Sequence, residues 1–279
     1  MADAGLDEKL REDAARTRKK YETEMFGLLV TVWGEHLHMG LFKNPDETLA
    51  RASERSSAVI AADAGLRAGQ HVVDVACGVG GSARYLARSL GVEVTALDIS
   101  EAQIRRGRGL TADPRLAERI RYANADFHRV PLPDACCDVW WCQEAMLYAS
   151  DKRRVLREGL RVVRPGGRLV LSDLLQRRNM PEAERGPFMA RLGASHIWTI
   201  EDYDDLLAEM ELKVLVRRDW WRNVAPTYER VANGLIERRD AFAGRVGAEA
   251  VDATIARVVM QRDAARDGHL GWCYYLIAA

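Results

Sequence analysis

At 279 residues, 48% of them hydrophobic, the chain can build one large domain or a domain plus a cap. Its 41 Lys and Arg balance 41 Asp and Glu, so it lacks the basic excess of a nucleic-acid or acidic-membrane binder. Twenty aromatics argue against disorder, no apolar run approaches the roughly 20 residues of a bilayer span, and the first 25 residues are no secretory leader; a soluble, cytoplasmic protein is expected.

In chain order, residues 5–25 are charged with spaced apolar positions (Leu6, Leu10, Tyr21, Met25) and predict an exposed amphipathic helix. Phe26 to Gly40 is aromatic and glycine-bearing, and reads as a loop packed on the main body. Asn44-Pro45-Asp46 is a turn, followed by a helix over about 47–64. From Gln70 short apolar runs alternate with helical segments. Strands are predicted at 71–76, 92–97, 119–123, 137–142 and 168–174, with helices at 81–90, 100–110 and 151–163 between them. Ser100 caps one helix, and Arg164-Pro165-Gly166-Gly167 stops another. The alternation predicts an α/β fold, a mostly parallel sheet with helices on both faces. Beyond it, 180–198 reads as an insertion, 201–210 as a helix, 212–216 as a strand, 226–244 and 248–267 as helices, and 270–277 as a buried last strand.

The chemistry concentrates at strand ends. In Val72-Val-Asp74-Val-Ala-Cys-Gly78-Val-Gly80-Gly81 an acid on the first strand precedes a tight glycine turn and a helix N-terminus. Gly78-x-Gly80-x-x-Ala83 also satisfies the loose dinucleotide pattern. Asp74, however, would repel a pyrophosphate and suits a ligand with an ammonium group. Asp98 ends the second strand, where a carboxylate can take both hydroxyls of a ribose. Asp126 follows the third strand and can accept from an adenine amino group, with Phe127 or Ile99 against the ring. Amino acid, ribose and adenine together describe S-adenosylmethionine.

With these residues in hand, the chain resembles the class I S-adenosylmethionine-dependent methyltransferases over roughly residues 70–175. The resemblance rests on VVDVACGVGG, VTALDIS, ANADF, DVWWCQEAML and RVVRPGGRLVLSDLL. Outside that core, WGEHLHMGLF, GGSARYLA and GHLGWCYYLIA are similar to the sarcosine/dimethylglycine N-methyltransferases and to methyltransferases of secondary metabolism. The resemblance implies a seven-stranded Rossmann-like sheet, an N-terminal lid within residues 1–65 and a main domain at 66–279. It also implies a substrate cap at about 177–235, inserted after strand five. Trp33, Asp74, Gly78, Gly80, Asp98, Ile99, Gln103, Asp126, Phe127 and Gln143 are then expected to hold the cofactor, and His38, Glu144 and Tyr148 to serve the reaction.

Sugar O-methyltransferases of this group carry a His-His pair just before the Asp that matches Asp151; this chain has Leu147-Tyr148. A hydroxyl needs a positioned base for its proton, whereas a neutral amine already offers a lone pair. A small-molecule amine is therefore the expected acceptor, with His38 orienting it or closing the lid. Further candidates around it are His36, His196, Trp198, Trp220, Trp221 and Tyr228, as aromatics that attract a cation, and Arg177, Arg178 and Arg191, which could hold a carboxylate. The alternatives are a C- or O-methyltransferase of a natural-product pathway, a nicotinamide-dependent oxidoreductase, or a cofactor-binding relative without chemistry. Five cysteines without paired C-x-x-C units predict neither disulfides nor a metal site. The oligomeric state, a homo-oligomer included, is left open.

Overall fold

The structure, a computed structural model, describes residues 2–192 and 197–279. Its centre is a seven-stranded sheet built from β1 (His71–Val75), β2 (Glu93–Asp98), β3 (Ile120–Asn124), β4 (Cys137–Gln143), β5 (Val163–Gln176), β6 (Val214–Asp219) and β7 (Leu270–Ala278). The order is β3-β2-β1-β4-β5-β7-β6, with β1 to β5 parallel and β7 antiparallel to both its neighbours. The arg-pro-gly-gly stop falls inside the bounds of β5, where the register against β4 shifts between Cys137 and Val139.

Strand side chains alternate between faces, and the two cores follow that period of two. Val73, Val75, Trp140, Cys142, Leu169, Leu171 and Tyr275 point to one face, under α7 (Lys152–Val162) and α9 (Ile200–Glu209). Val72, Val94, Ala96, Val139, Trp141, Val170 and Tyr274 point to the other. There they meet α3 (Leu49–Asp63), α4 (Gly81–Leu90) and α5 (Glu101–Leu110). Burial of both faces explains why these strands read as continuous apolar runs. A one-turn helix, α6 (Pro114–Ala117), leads into β3.

A third apolar cluster lies over the strand ends. It joins Leu174 and Trp272 to α2 (Glu24–Trp33), α8 (Glu182–Leu192), α10 (Val224–Glu237), α11 (Arg239–Val246) and α12 (Ala248–Arg266). The leading helix α1 (Ala2–Tyr21) packs beside α2. Among the described residues no helix is long and apolar enough to cross a membrane.

Four readings need correction. Phe26 to Trp33 is helical, not a loop. Thr23 caps α2 by accepting from the Phe26 N–H, and Gly27 sits where a Cβ would stand 2.0 Å from the Arg106 guanidinium. The glycine is there for close approach, not to break the helix. Residues 226–244 form two helices, separated at Arg238. Strand β6 begins two residues later than expected and runs to Asp219. The expected cap at 177–235 is redistributed. Helix α8 does follow β5, but α9 packs on the sheet and β6 is part of it, while most of the cover comes from α10 to α12.

Candidate active site

The parallel strands end at one edge, and a cavity opens there under α1, α2, the 34–40 segment and α12. Trp33, Asp74, Gly78, Asp98, Ile99, Gln103, Asp126, Phe127 and Gln143 all line it, as do His38, Glu144 and Tyr148. Gly80 does not. A Cβ on it would lie 2.1 Å from the Tyr122 hydroxyl, so its role is to seat α4 against Tyr122.

The turn after β1 is made by backbone that side chains disfavour: Ala76, Gly78 and Gly80 have φ of 54°, 56° and 76°. Gly78 N–H donates to Asp98 Oδ2 at 2.8 Å and Ser100 N–H to Oδ1 at 2.8 Å, which ties the ends of β1 and β2 together. Burial pushes Asp98 up to about 6, against the pull of those two hydrogen bonds. Burial, reinforced by Asp98, also raises Asp74 well above the carboxylate range. Asp126 behaves oppositely. Burial raises it, but the ring and backbone N–H of His128, each 2.8 Å from Oδ1, hold it below its ordinary value.

The 34–40 segment crosses α4 at its first residue. A Cβ on Gly81 would stand 2.2 Å from the Glu35 carbonyl oxygen and 2.6 Å from His36 Cα. Buried Arg84 fastens the crossing by donating to Glu35 at 2.7 Å. Gly81→Ala therefore has an informative sign. Helix propensity alone favours alanine by about 1 kcal/mol, whereas collision with backbone that must shift costs about 1–3 kcal/mol. Thermal unfolding is expected to show destabilisation; a raised midpoint would mean the crossing is loose.

His38 is walled into a shelf of serines. Its Nδ1 lies 3.0 Å from the Met39 carbonyl oxygen and 3.2 Å from Ser56 Oγ. Its Nε2 lies 3.2 Å from each of Ser57 Oγ, Ser82 Oγ and His36 Nδ1. Burial first, then the neighbouring His36, lowers it to about 3. A neutral ring with both nitrogens engaged ties the 34–40 segment to α3 and α4. Ser82 passes the network to Gln143 Oε1 at 2.7 Å, which also accepts from the Trp141 indole N–H.

Glu144 occupies a strained left-handed conformation, φ 52°, at the end of β4. Its Oε2 accepts the Met39 N–H at 2.6 Å. The Ser172 hydroxyl and Trp272 indole N–H lie beside it without closing full hydrogen bonds. Burial, offset by the Met39 bond and reinforced by Asp173, pushes it up to about 8, so it is protonated at neutral pH.

Several expected substrate contacts lie elsewhere. Trp220 stacks on Tyr274 at 5.1 Å near the β6 edge, Trp198 packs on Tyr203, and Trp221 sits between Arg177 and Arg222. Arg177 pairs with Asp219 and Arg178 with Glu201. His196 and the Arg191 side chain lie outside the described residues. The aromatic wall is made instead by Tyr21, Phe26, Trp33, Tyr148 and Tyr228, with His36 beside it.

Three lining residues escape the linear reading: Lys20, Tyr21 as a cavity group, and Arg257. Lys20 Nζ donates to the Tyr148 hydroxyl at 3.0 Å. Arg257 has no ion pair or hydrogen bond among the described residues. Its signal was available: within Ala253–Gln261 no acid stands three or four residues from it.

Five buried polar atoms of lining residues have no protein partner among the described residues: Asp74 Oδ2, Gln103 Oε1, His128 Nε2, Gln143 Nε2 and Glu144 Oε1. Buried polar atoms need partners, and this set, beside Asp98 at the end of β2, fits a nucleoside carrying an amino-acid chain. Among the described residues no group of three or more His, Cys, Asp or Glu is placed to hold a metal ion.

A methyltransferase-domain family model matches residues 73–171. The chain is 33% identical over 231 residues to a dimethylglycine N-methyltransferase of Parasynechococcus marenigrum (strain WH8102), covering 76% of this chain and 82% of that protein. It is 30% identical to a 27-O-demethylrifamycin SV methyltransferase of Amycolatopsis mediterranei (strain S699), covering 82% and 86%. A crystal structure of a Galdieria sulphuraria protein assigned as a sarcosine dimethylglycine methyltransferase superposes with a TM-score of 0.83 at 25% identity, over 92% of this chain and 98% of that one. Sheet order, cavity and relatives agree: this chain belongs to the S-adenosylmethionine-dependent methyltransferases, and its cofactor is S-adenosylmethionine.

Proposed function

We propose that this methyltransferase acts on the nitrogen of a small amine bearing a carboxylate, of the glycine, sarcosine and dimethylglycine kind. The observation that carries this reading is Arg257, a guanidinium lining the cavity with no carboxylate partner among the described residues. Such a group is suited to a carboxylate of the ligand. The same cavity is lined by aromatic faces that attract an ammonium or a methylated amine, about 0.5–2 kcal/mol each. The similarity to N-methyltransferases supports the same reading.

S-adenosylmethionine supplies, when bound, a methyl group made electrophilic by a sulfonium. In this reading Asp98 takes the ribose hydroxyls, Ile99 and Phe127 flank the adenine, and Asp126 faces its amino group. Asp74 and Gln143 take the ammonium and carboxylate of the methionine part. Lid and covering helices exclude water and align the nitrogen lone pair with the methyl carbon, which supplies most of the acceleration. His38 serves by holding Ser82, Gln143 and the lid in register.

The test is methyl transfer from a labelled donor to sarcosine, dimethylglycine, matched amines lacking the carboxylate, and hydroxyl acceptors. Transfer to the amino acids is expected. Transfer confined to hydroxyl acceptors would replace this reading by the O-methyltransferase one, which the Amycolatopsis relative favours.

A further inference from the structure

Tyr148 ends a single 3-10 turn, Met146–Tyr148, after β4, and its phenolic oxygen faces α1. Two groups of that helix reach it. Lys20 Nζ lies 3.0 Å away, and the Tyr21 hydroxyl is turned to the same oxygen, its ring meeting that of Tyr148 edge to face at 5.7 Å. An oxygen that receives an ammonium and a hydroxyl is arranged to bear negative charge.

The other groups facing it strengthen the case. Tyr228 approaches from α10 and Arg257 from α12, while Glu144 acts on Tyr228 from the end of β4. Among the described residues the charges acting on Tyr148 are the positive ones of Lys20 and Arg257, with Tyr228 raised by burial and Glu144 pushed up to about 8. Burial alone would push the Tyr148 phenol up. The Lys20 charge and hydrogen bond, then Tyr21 and Arg257, outweigh it and hold the phenol below the ordinary tyrosine range. The other seven tyrosines are all shifted upward.

We propose that Tyr148, its phenolic oxygen held by the Lys20 ammonium, is in its ionised form the base that frees the acceptor nitrogen, and that this base is complete only when α1 is docked. The proposal rests on the amine reading for its substrate. In the step, the phenolate oxygen forms an O–H bond with a proton of the acceptor ammonium. The N–H bond breaks, and its electron pair remains on nitrogen as the attacking lone pair. The resulting phenol returns its proton to solvent before the next turnover, so no further reactant is needed. Lys20 acts through Tyr148 and is a positioning residue. Docking of α1 is secured by Asp13 with Ser150, by Arg18 donating to the Ile99 carbonyl at 3.2 Å, and by Gln103 donating to the Tyr21 carbonyl at 3.5 Å.

The experiment is an ultraviolet titration of tyrosinate in the full chain without acceptor, paired with pH profiles of kcat. Wild type should show one tyrosine ionising well below the rest. That signal should be absent in Tyr148→Phe, shifted to higher pH in Lys20→Met, and largely restored in Lys20→Arg. The kcat of Tyr148→Phe should fall by about 10²–10⁴, and the acid limb of Lys20→Met should move up with its titration. A wild type with no low-titrating tyrosine, or a Lys20→Met limb that stays in place, would overturn the proposal. The two readings are separable because the titration uses no acceptor. A low-titrating tyrosine in a protein that methylates no amine upholds the ionised Tyr148 but refutes the amine reading and, with it, the role as base for nitrogen. Amine methylation without such a tyrosine refutes the base alone.

Discussion

Arg257→Ala is expected to lower kcat/KM for a carboxylate-bearing amine by about thirtyfold to several thousandfold. That range corresponds to the roughly 2–5 kcal/mol lost when one partner of a desolvated charge pair is truncated. The loss should appear mainly in KM, because in the proposed reading the guanidinium would hold the carboxylate of the acceptor and not its reacting nitrogen. An amine of the same size without the carboxylate should be affected about threefold or less. Arg257→Lys keeps the charge but not the planar fork, so it should recover only part of the loss. Equal effects on the two acceptors, measured by initial rates at matched pH, would remove Arg257 from the acceptor site.

Asp98→Ala should weaken S-adenosylhomocysteine binding by about 10- to 150-fold, the equivalent of roughly 1.5–3 kcal/mol for hydrogen bonds to a charged group. Calorimetric titration of the folded variant reads this directly, and unchanged affinity would sink the ribose role. The same residue sets a pH dependence. Its carboxyl is raised to about 6, so it is ionised above that value and takes up a proton as pH falls through it. The ionised form accepts ribose hydroxyls better, so affinity should be flat on the alkaline side and decline below about pH 6. In Asp98→Asn the decline should vanish. A decline that persists would assign it to Asp74, which is buried close by and also raised.

The core was legible because its signals are local. Alternating apolar runs at β1, β2 and β4 are buried on both faces, a pattern the parallel order enforces. The acids at Asp74, Asp98 and Asp126 were readable for the same reason, since strand ends in a parallel sheet all reach one edge. Chain order therefore sufficed to bring them together. Gly78 and Gly80 look alike in sequence, and only the structure shows that the first lines the cavity while the second packs against Tyr122.

The lid and acceptor end were less legible. Gly27 reads as a breaker until Arg106 is seen beside it. Trp198, Trp220 and Trp221 are chemically suitable for a cationic substrate, yet their elements face the sheet and its edge. Lys20 and Tyr148 are 128 residues apart and share no motif.

What the sequence by itself determined is the sheet, the strand-end acids and hence the cofactor, since periodicity and the rise of parallel strands are properties of the chain alone. Only the tertiary structure decided which cations and aromatics line the cavity. Those contacts join α1, the turn after β4, α10 and α12, whose mutual placement depends on packing between helices far apart in the chain.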